Sequence, residues 1–182
     1  MEAIETHIDK MLTKGRDRYG DDPTPLLADG LNVYTEEQVF WRFPGGKEVI
    51  MSNFADQQNV LRYLVAMTDI TGDPYYKEQA AELVHYFFDH YQTEYGLVPW
   101  GAGHNFIDLQ SKKPIGTTHE FKDCYPYYDF LFEVEPERTA KFVKAYWNSH
   151  ILSWSDLTFN RHGAPRDYAT GSGDGFWQRP DT

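Results

Sequence analysis

The sequence predicts an all-α fold of antiparallel helix hairpins forming part of an (α/α)n toroid, with long loops and at most a short β-hairpin. Three observations predict it. Apolar residues recur at helical spacing in five stretches. Two connections between such stretches are so short that the chain must return antiparallel. The segments between hairpins are long and rich in proline and glycine.

The first helix is expected over Glu2 to Tyr19, where Ile4, Ile8, Met11 and Leu12 make one face, and Gly20 with Asp21-Asp22-Pro23 stops it. Residues 21–52 read as an extended connector. A short hairpin is expected there, pairing Val33–Arg42 with Val49–Met51 across Pro44-Gly45-Gly46. Ser52 or Asn53 is placed to cap a second helix, which carries Val60, Leu61, Leu64, Val65 and Met67 and ends at Gly72. Asp73-Pro74 opens a third, with Ala80, Leu83, Val84, Phe87 and Phe88 as its buried stripe. After a long loop, Phe121 to Val134 reads as a fourth helix, broken or started late by Pro126. Glu135-Pro136-Glu137 opens a fifth, with Phe142, Val143, Tyr146 and Trp147 apolar and an end near His150. Everything after Leu152 reads as loop, and Gly171 to Gly175 carries no packing signal.

Residues 1–182 are expected to form a single domain, an incomplete N-terminal portion of a larger α/α toroid. A closed ring of six or seven hairpins needs roughly two to three times this length.

Lys and Arg number 17 against 28 Asp and Glu, a formal charge of −11. Such a chain repels nucleic acid and anionic membranes, and no basic stripe interleaved with aromatics appears. No window approaches the apolar length of a membrane span. An acidic substrate would need a local cationic site. Aromatic residues make up 16% of the chain, which suits either a Tyr-rich helical core or stacking on sugar faces. The single cysteine, Cys124, fits a cytoplasmic or bacterial periplasmic location, and no signal peptide is visible at Met1–Glu5.

Three short motifs could carry chemistry. In Gly101-Ala102-Gly103-His104, glycines let the backbone approach a ligand closely. His119-Glu120 sits where the fourth helix is expected to begin. Asn160-Arg161-His162-Gly163 puts a guanidinium beside an imidazole in a loop. Taken singly, each has an ordinary use: a turn histidine, a first-turn carboxylate favoured by the helix dipole, a surface salt bridge. Taken together, two histidines and one glutamate suit Mn²⁺, Zn²⁺ or a related divalent ion and leave coordination positions open.

The order His104, Glu120, then adjacent Arg161-His162 resembles the site of polysaccharide lyase family 2, the metal-dependent pectate lyases. The spacing from Glu120 to His162 is similar to the family's, and that from His104 to Glu120 is shorter. The resemblance implies an α/α toroid of about seven helix pairs, and His104, Glu120 and His162 as ligands of a divalent ion, most often Mn²⁺. It implies Arg161 as the catalytic residue and an acidic oligo- or polysaccharide as substrate. Trp100, Lys122, Tyr125, Tyr127 and Arg166 are then candidates for lining the sugar cleft, with Arg42 a further candidate cation.

The implied reaction is β-elimination of a uronate. The ion would neutralise the substrate carboxylate. Arg161 would act either as base or, kept protonated as arginine normally is, as an electrostatic clamp on the enolate-like intermediate. Two other readings stay open. A six-hairpin glycoside hydrolase would use a carboxylate pair drawn from Asp108, Glu120, Asp123 and Asp129. A non-catalytic helical repeat scaffold would hold His104, Glu120 and His162 more than ~8 Å apart, far beyond metal–ligand bonds of ~2.0–2.2 Å.

Overall fold

The computed structural model describes residues 2–43, 45–121, 125–153 and 155–163. Helix α1 spans Glu2–Lys14 and buries Ile8 and Leu12. It ends one turn earlier than the sequence predicts. Gln38, far along the connector, donates through its side-chain amide to the carbonyls of Lys14, Gly15 and Arg16. A buried tertiary cap of this kind satisfies the free carbonyls of a helix end and leaves no local signature.

The connector holds the expected hairpin in shortened form. Strand β1 (Trp41–Arg42) pairs antiparallel with β2 (Glu48–Val49). Contrary to the expectation of at most one hairpin, three further small sheets are present among the described residues. Strand β3 (Met51–Ser52) joins β4 (Phe106–Asp108) and β5 (Lys113–Ile115) in a three-stranded antiparallel sheet. Strand β6 (His119–Glu120) pairs with β9 (His162–Gly163), and β7 (Ile151–Ser153) with β8 (Thr158–Phe159). Strands of two or three residues are too short to display a period-two alternation.

Helix α2 (Gln58–Thr71) starts later than the Ser52-Asn53 cap suggested, because Ser52 ends β3 and the Asn53 side chain closes a turn onto the Ala55 amide. It ends, as predicted, on Gly72 in the left-handed conformation. Asp73 then accepts from the Tyr75 amide, and α3 (Tyr75–Tyr91) folds back along α2. The fourth helix is α4 (Tyr128–Val134), seven residues long. It begins only after Pro126, since a residue before proline is disfavoured in helical conformation. His119-Glu120 therefore lies in a strand, not at a helix start. Helix α5 (Pro136–His150) follows with proline in its first turn.

Each helix packs on the next in the chain. Between them lies one apolar core in which Phe54, Leu61, Leu64, Phe87, Phe88, Trp100, Phe130 and Phe142 are almost fully buried. The small sheets gather the connecting loops at the edge of this core.

A carboxylate of the connector makes stability depend on pH. Asp29 accepts through Oδ1 from the Asn53 amide and the Gln57 side chain, while its Oδ2 is closed off from solvent without a partner. Burial outweighs the two hydrogen bonds and pushes its carboxyl up to about 7. The ordinary unfolded value is about 3.9. An acid whose folded value is raised contributes stability below its unfolded value, and that contribution is lost as pH rises through the folded one. The urea midpoint is therefore expected to fall between about pH 4 and 7 in the wild type relative to Asp29→Asn; parallel profiles would contradict this.

Candidate metal centre

Two devices place the three candidate ligands, a short turn and a strand pair. His104 ends a 3-10 turn, Ala102–His104, closed by its amide on the Gly101 carbonyl at 2.7 Å. Beneath that turn runs Gly116, in the left-handed region at φ +84°. A Cβ there would lie 1.8 Å from the His104 carbonyl oxygen. Gly116→Ala is thus expected to cost on the order of 1–3 kcal/mol and to displace His104. Both effects are read in one melting experiment with and without added Mn²⁺.

Glu120 and His162 are brought together by strand register. In the antiparallel β6–β9 pair, Glu120 lies directly opposite His162 and His119 opposite Gly163. Directly opposed residues put their side chains on the same face of a ladder, about 4.5–5.5 Å apart at Cβ. The pairing continues through the Phe121 amide, which donates to the Arg161 carbonyl at 2.8 Å.

The ligand atoms of His104, Glu120 and His162 all lie within 4.8 Å of one another. Glu120 is 2% exposed, and its carboxylate is surrounded by nitrogen. Oε1 lies 3.3 Å from His162 Nε2 and 3.3 Å from Arg161 Nη2, and Oε2 lies 3.9 Å from His104 Nε2. The Arg161 Nε–H donates to His162 Nε2 at 3.3 Å. His104, Arg161 and His162 keep a solvent-facing side.

This donor set fits a divalent ion. Bonds of ~2.0–2.2 Å hold two ligand atoms at most about 4.4 Å apart, so the observed spread closes with a side-chain shift of a few tenths of an ångström. Two imidazoles and one carboxylate leave open positions, as a catalytic rather than a structural site requires. The separation of more than ~8 Å that a scaffold reading calls for is not what this chain has.

Other candidates fare differently. His119, beside Glu120, is turned into the core, and burial helped by nearby His150 pushes its imidazole down to about 4, so it stays neutral. Trp100 is no sugar platform: it is 1% exposed and packed between Phe54, Phe142 and Tyr146. Tyr125 is exposed and Tyr127 half-buried, and both rings face the Arg62 guanidinium, at 5.6 and 4.9 Å. Arg62, which nothing in its helical context singles out, is the cation the sequence reading missed there. Arg42 is engaged by Glu48 across the hairpin. Lys122, Arg166 and Asp123 lie outside the described residues. Asp108 is committed to the β4–β5 turn, accepting from the Gln110 amide and the Ser111 hydroxyl. Asp129 is exposed in the first turn of α4.

A family model described as "Periplasmic pectate lyase" matches residues 24–182. A pectate disaccharide-lyase of Dickeya dadantii (strain 3937) is 41% identical over 175 residues, covering 93% of this chain and 31% of the relative. The chain thus spans about a third of the length of that curated relative. Among the described residues no helix is long and apolar enough to cross a membrane. With matches over most of its length to a family model and to a curated relative, the chain belongs to the periplasmic pectate lyase family, polysaccharide lyase family 2.

Proposed function

We propose that this chain carries the metal centre of a lyase that cleaves pectate, a polygalacturonate, by β-elimination. The observation that carries the reading is the register of β6 on β9, which sets Glu120 opposite His162 with His104 alongside. We take the ion to be Mn²⁺, the location to be the periplasm after which the family is described, and the packed helices to be an arc of an α/α toroid.

A divalent ion held by His104, Glu120 and His162 would supply Lewis acidity to the uronate carboxylate, making the C5 proton more acidic. The residues around it do the rest. Glu120 is shielded from water, so its attraction for a cation is screened little. In a chain of net charge −11, this is how a polyanion is accepted: positive charge is concentrated at one place. Arg161, anchored on Glu120 and about half exposed, stands at the open rim where substrate arrives. As a cation it would stabilise the negative charge that develops as C5 loses its proton to a solvent water, before the C4–O bond breaks and the leaving oxygen takes a proton from water. As a base it would first have to surrender its own proton, which arginine seldom does. Tyr125 with Arg62 offers an exposed aromatic and cationic surface for a neighbouring sugar.

The test is direct. With polygalacturonate, the protein is expected to release 4,5-unsaturated uronate, read by its ultraviolet absorbance. A chelator should abolish the signal and Mn²⁺ restore it. Release of saturated ends without ultraviolet absorbance would indicate hydrolysis and end the reading. Arg161→Lys, which keeps the charge but loses the planar fork, is expected to lower kcat by roughly 10²–10³-fold while retaining the ion. Loss of the ion in that variant would make Arg161 structural.

A further inference from the structure

Beneath the metal centre lies the last turn of α5, where Tyr146 and His150 stand one helical turn apart on one face. Their rings meet at 4.7 Å. Neither belongs to the candidate ligand set, yet each makes a directed bond to a different strand of the β6–β9 pair or the turn leading into it.

The Tyr146 hydroxyl donates to the backbone carbonyl of Glu120 at 2.5 Å. The Glu120 amide in turn donates to the Trp100 carbonyl at 3.1 Å. The peptide groups on both sides of the buried carboxylate are thereby fixed. His150 does the corresponding work for the other strand. Its Nδ1 lies 2.7 Å from the Asn160 carbonyl, which can only accept, so Nδ1 carries the proton. The Asn160 amide returns a bond to the His150 carbonyl at 2.8 Å. The Asn160 side chain then accepts from the His162 amide at 3.1 Å, closing the turn that presents Arg161 and His162.

Packing fixes both donors. Phe121 stacks on Tyr146 with centroids 5.3 Å apart, and Phe159 stacks on His150 at 5.8 Å. On the far side β9 comes so close that a Cβ at Gly163 would lie 2.8 Å from the Ser149 carbonyl oxygen and 3.1 Å from His150 Nε2.

We propose that Tyr146 and His150 are positioning residues that, from successive turns of one helix, hold the strands carrying Glu120 and His162 at the separation a shared cation requires. The inference rests on the metal-centre reading above. Outer partners of this kind set the orientation of ligands, and their loss typically weakens metal binding about 10–100-fold. These two act through the backbone of the ligand strands, so the sequence order of the ligands gives no hint of them.

The experiment measures Mn²⁺ binding by the electron paramagnetic resonance of free Mn²⁺, well below each protein's melting temperature. The proteins are the wild type, Tyr146→Phe, His150→Phe and the control Thr139→Val. Both aromatic replacements keep the ring stacks and remove one donor. The control removes a buried hydroxyl of the same helix, whose bond goes to Leu131 rather than to either strand. Tyr146→Phe and His150→Phe are each expected to bind Mn²⁺ about tenfold or more weakly, with an altered spectrum of the bound ion, while Thr139→Val binds like the wild type. Unchanged affinity in the folded variants overturns the inference, and so does an equal loss in Thr139→Val, which would mark a general loosening of α5. If one variant fails to fold, the other decides. A wild type that binds no Mn²⁺ overturns the metal-centre reading itself, a result distinct from either.

Discussion

Trp100→Ala is expected to destabilise the protein by about 3–5 kcal/mol, the range for emptying a large aromatic site in a packed core. Trp100 is 1% exposed. Its ring meets Phe142 at 5.1 Å and Phe54 and Tyr146 at 6.1 Å, so truncation leaves a cavity walled by three rings that cannot collapse together without leaving other partners. Its backbone carbonyl also receives the Glu120 amide, so the cavity lies directly behind the metal centre. The expected result is a large drop in urea midpoint with an unchanged slope. A surface sugar platform, the role the sequence suggests, would lose substrate affinity and almost no stability. A change within about 0.5 kcal/mol with a raised KM would restore that role and contradict the burial.

His162→Ala is expected to remove the bound ion and with it the lyase activity, while the fold persists. His162 is partly exposed and sits in a two-residue strand, so little packing is lost. Its Nε2 is 3.3 Å from Glu120 Oε1, and without it two ligands remain for the ion. Since loss of an outer partner alone costs about 10–100-fold in affinity, loss of a direct ligand should exceed about a hundredfold. Metal content after dialysis checks this, with far-ultraviolet circular dichroism to show that the helices remain. Full retention of metal by a folded His162→Ala protein would remove His162 from the site.

The helices were legible because their signals are local. Leu61, Leu64 and Met67 recur at helical spacing and are buried where that spacing places them. Gly72 stops α2 by its own conformation, and Pro136 starts α5 by its own ring. What failed was set by partners distant in sequence. The end of α1 is fixed by Gln38, and the strand that holds Glu120 by residues more than forty positions away. The late start of α4 had a local cause, Pro126, whose weight the apolar run from Phe121 hid. At the site, His104, Glu120 and His162 stood out by residue type and order. Gly116, Tyr146 and His150 did not, because a small residue under a turn and two donors on an apolar helix face read as ordinary loop and core. Trp100 was misplaced because exposure cannot be read from the identity of an aromatic residue.

The central claim is that two imidazoles and one carboxylate of this chain share a single divalent ion. Pulsed electron paramagnetic resonance of the Mn²⁺-loaded protein tests it most directly, since nitrogen bound to the ion couples to its spin. The account predicts coupling from two imidazole nitrogens. A spectrum of bound Mn²⁺ with no nitrogen coupling would place the ion elsewhere and contradict the account.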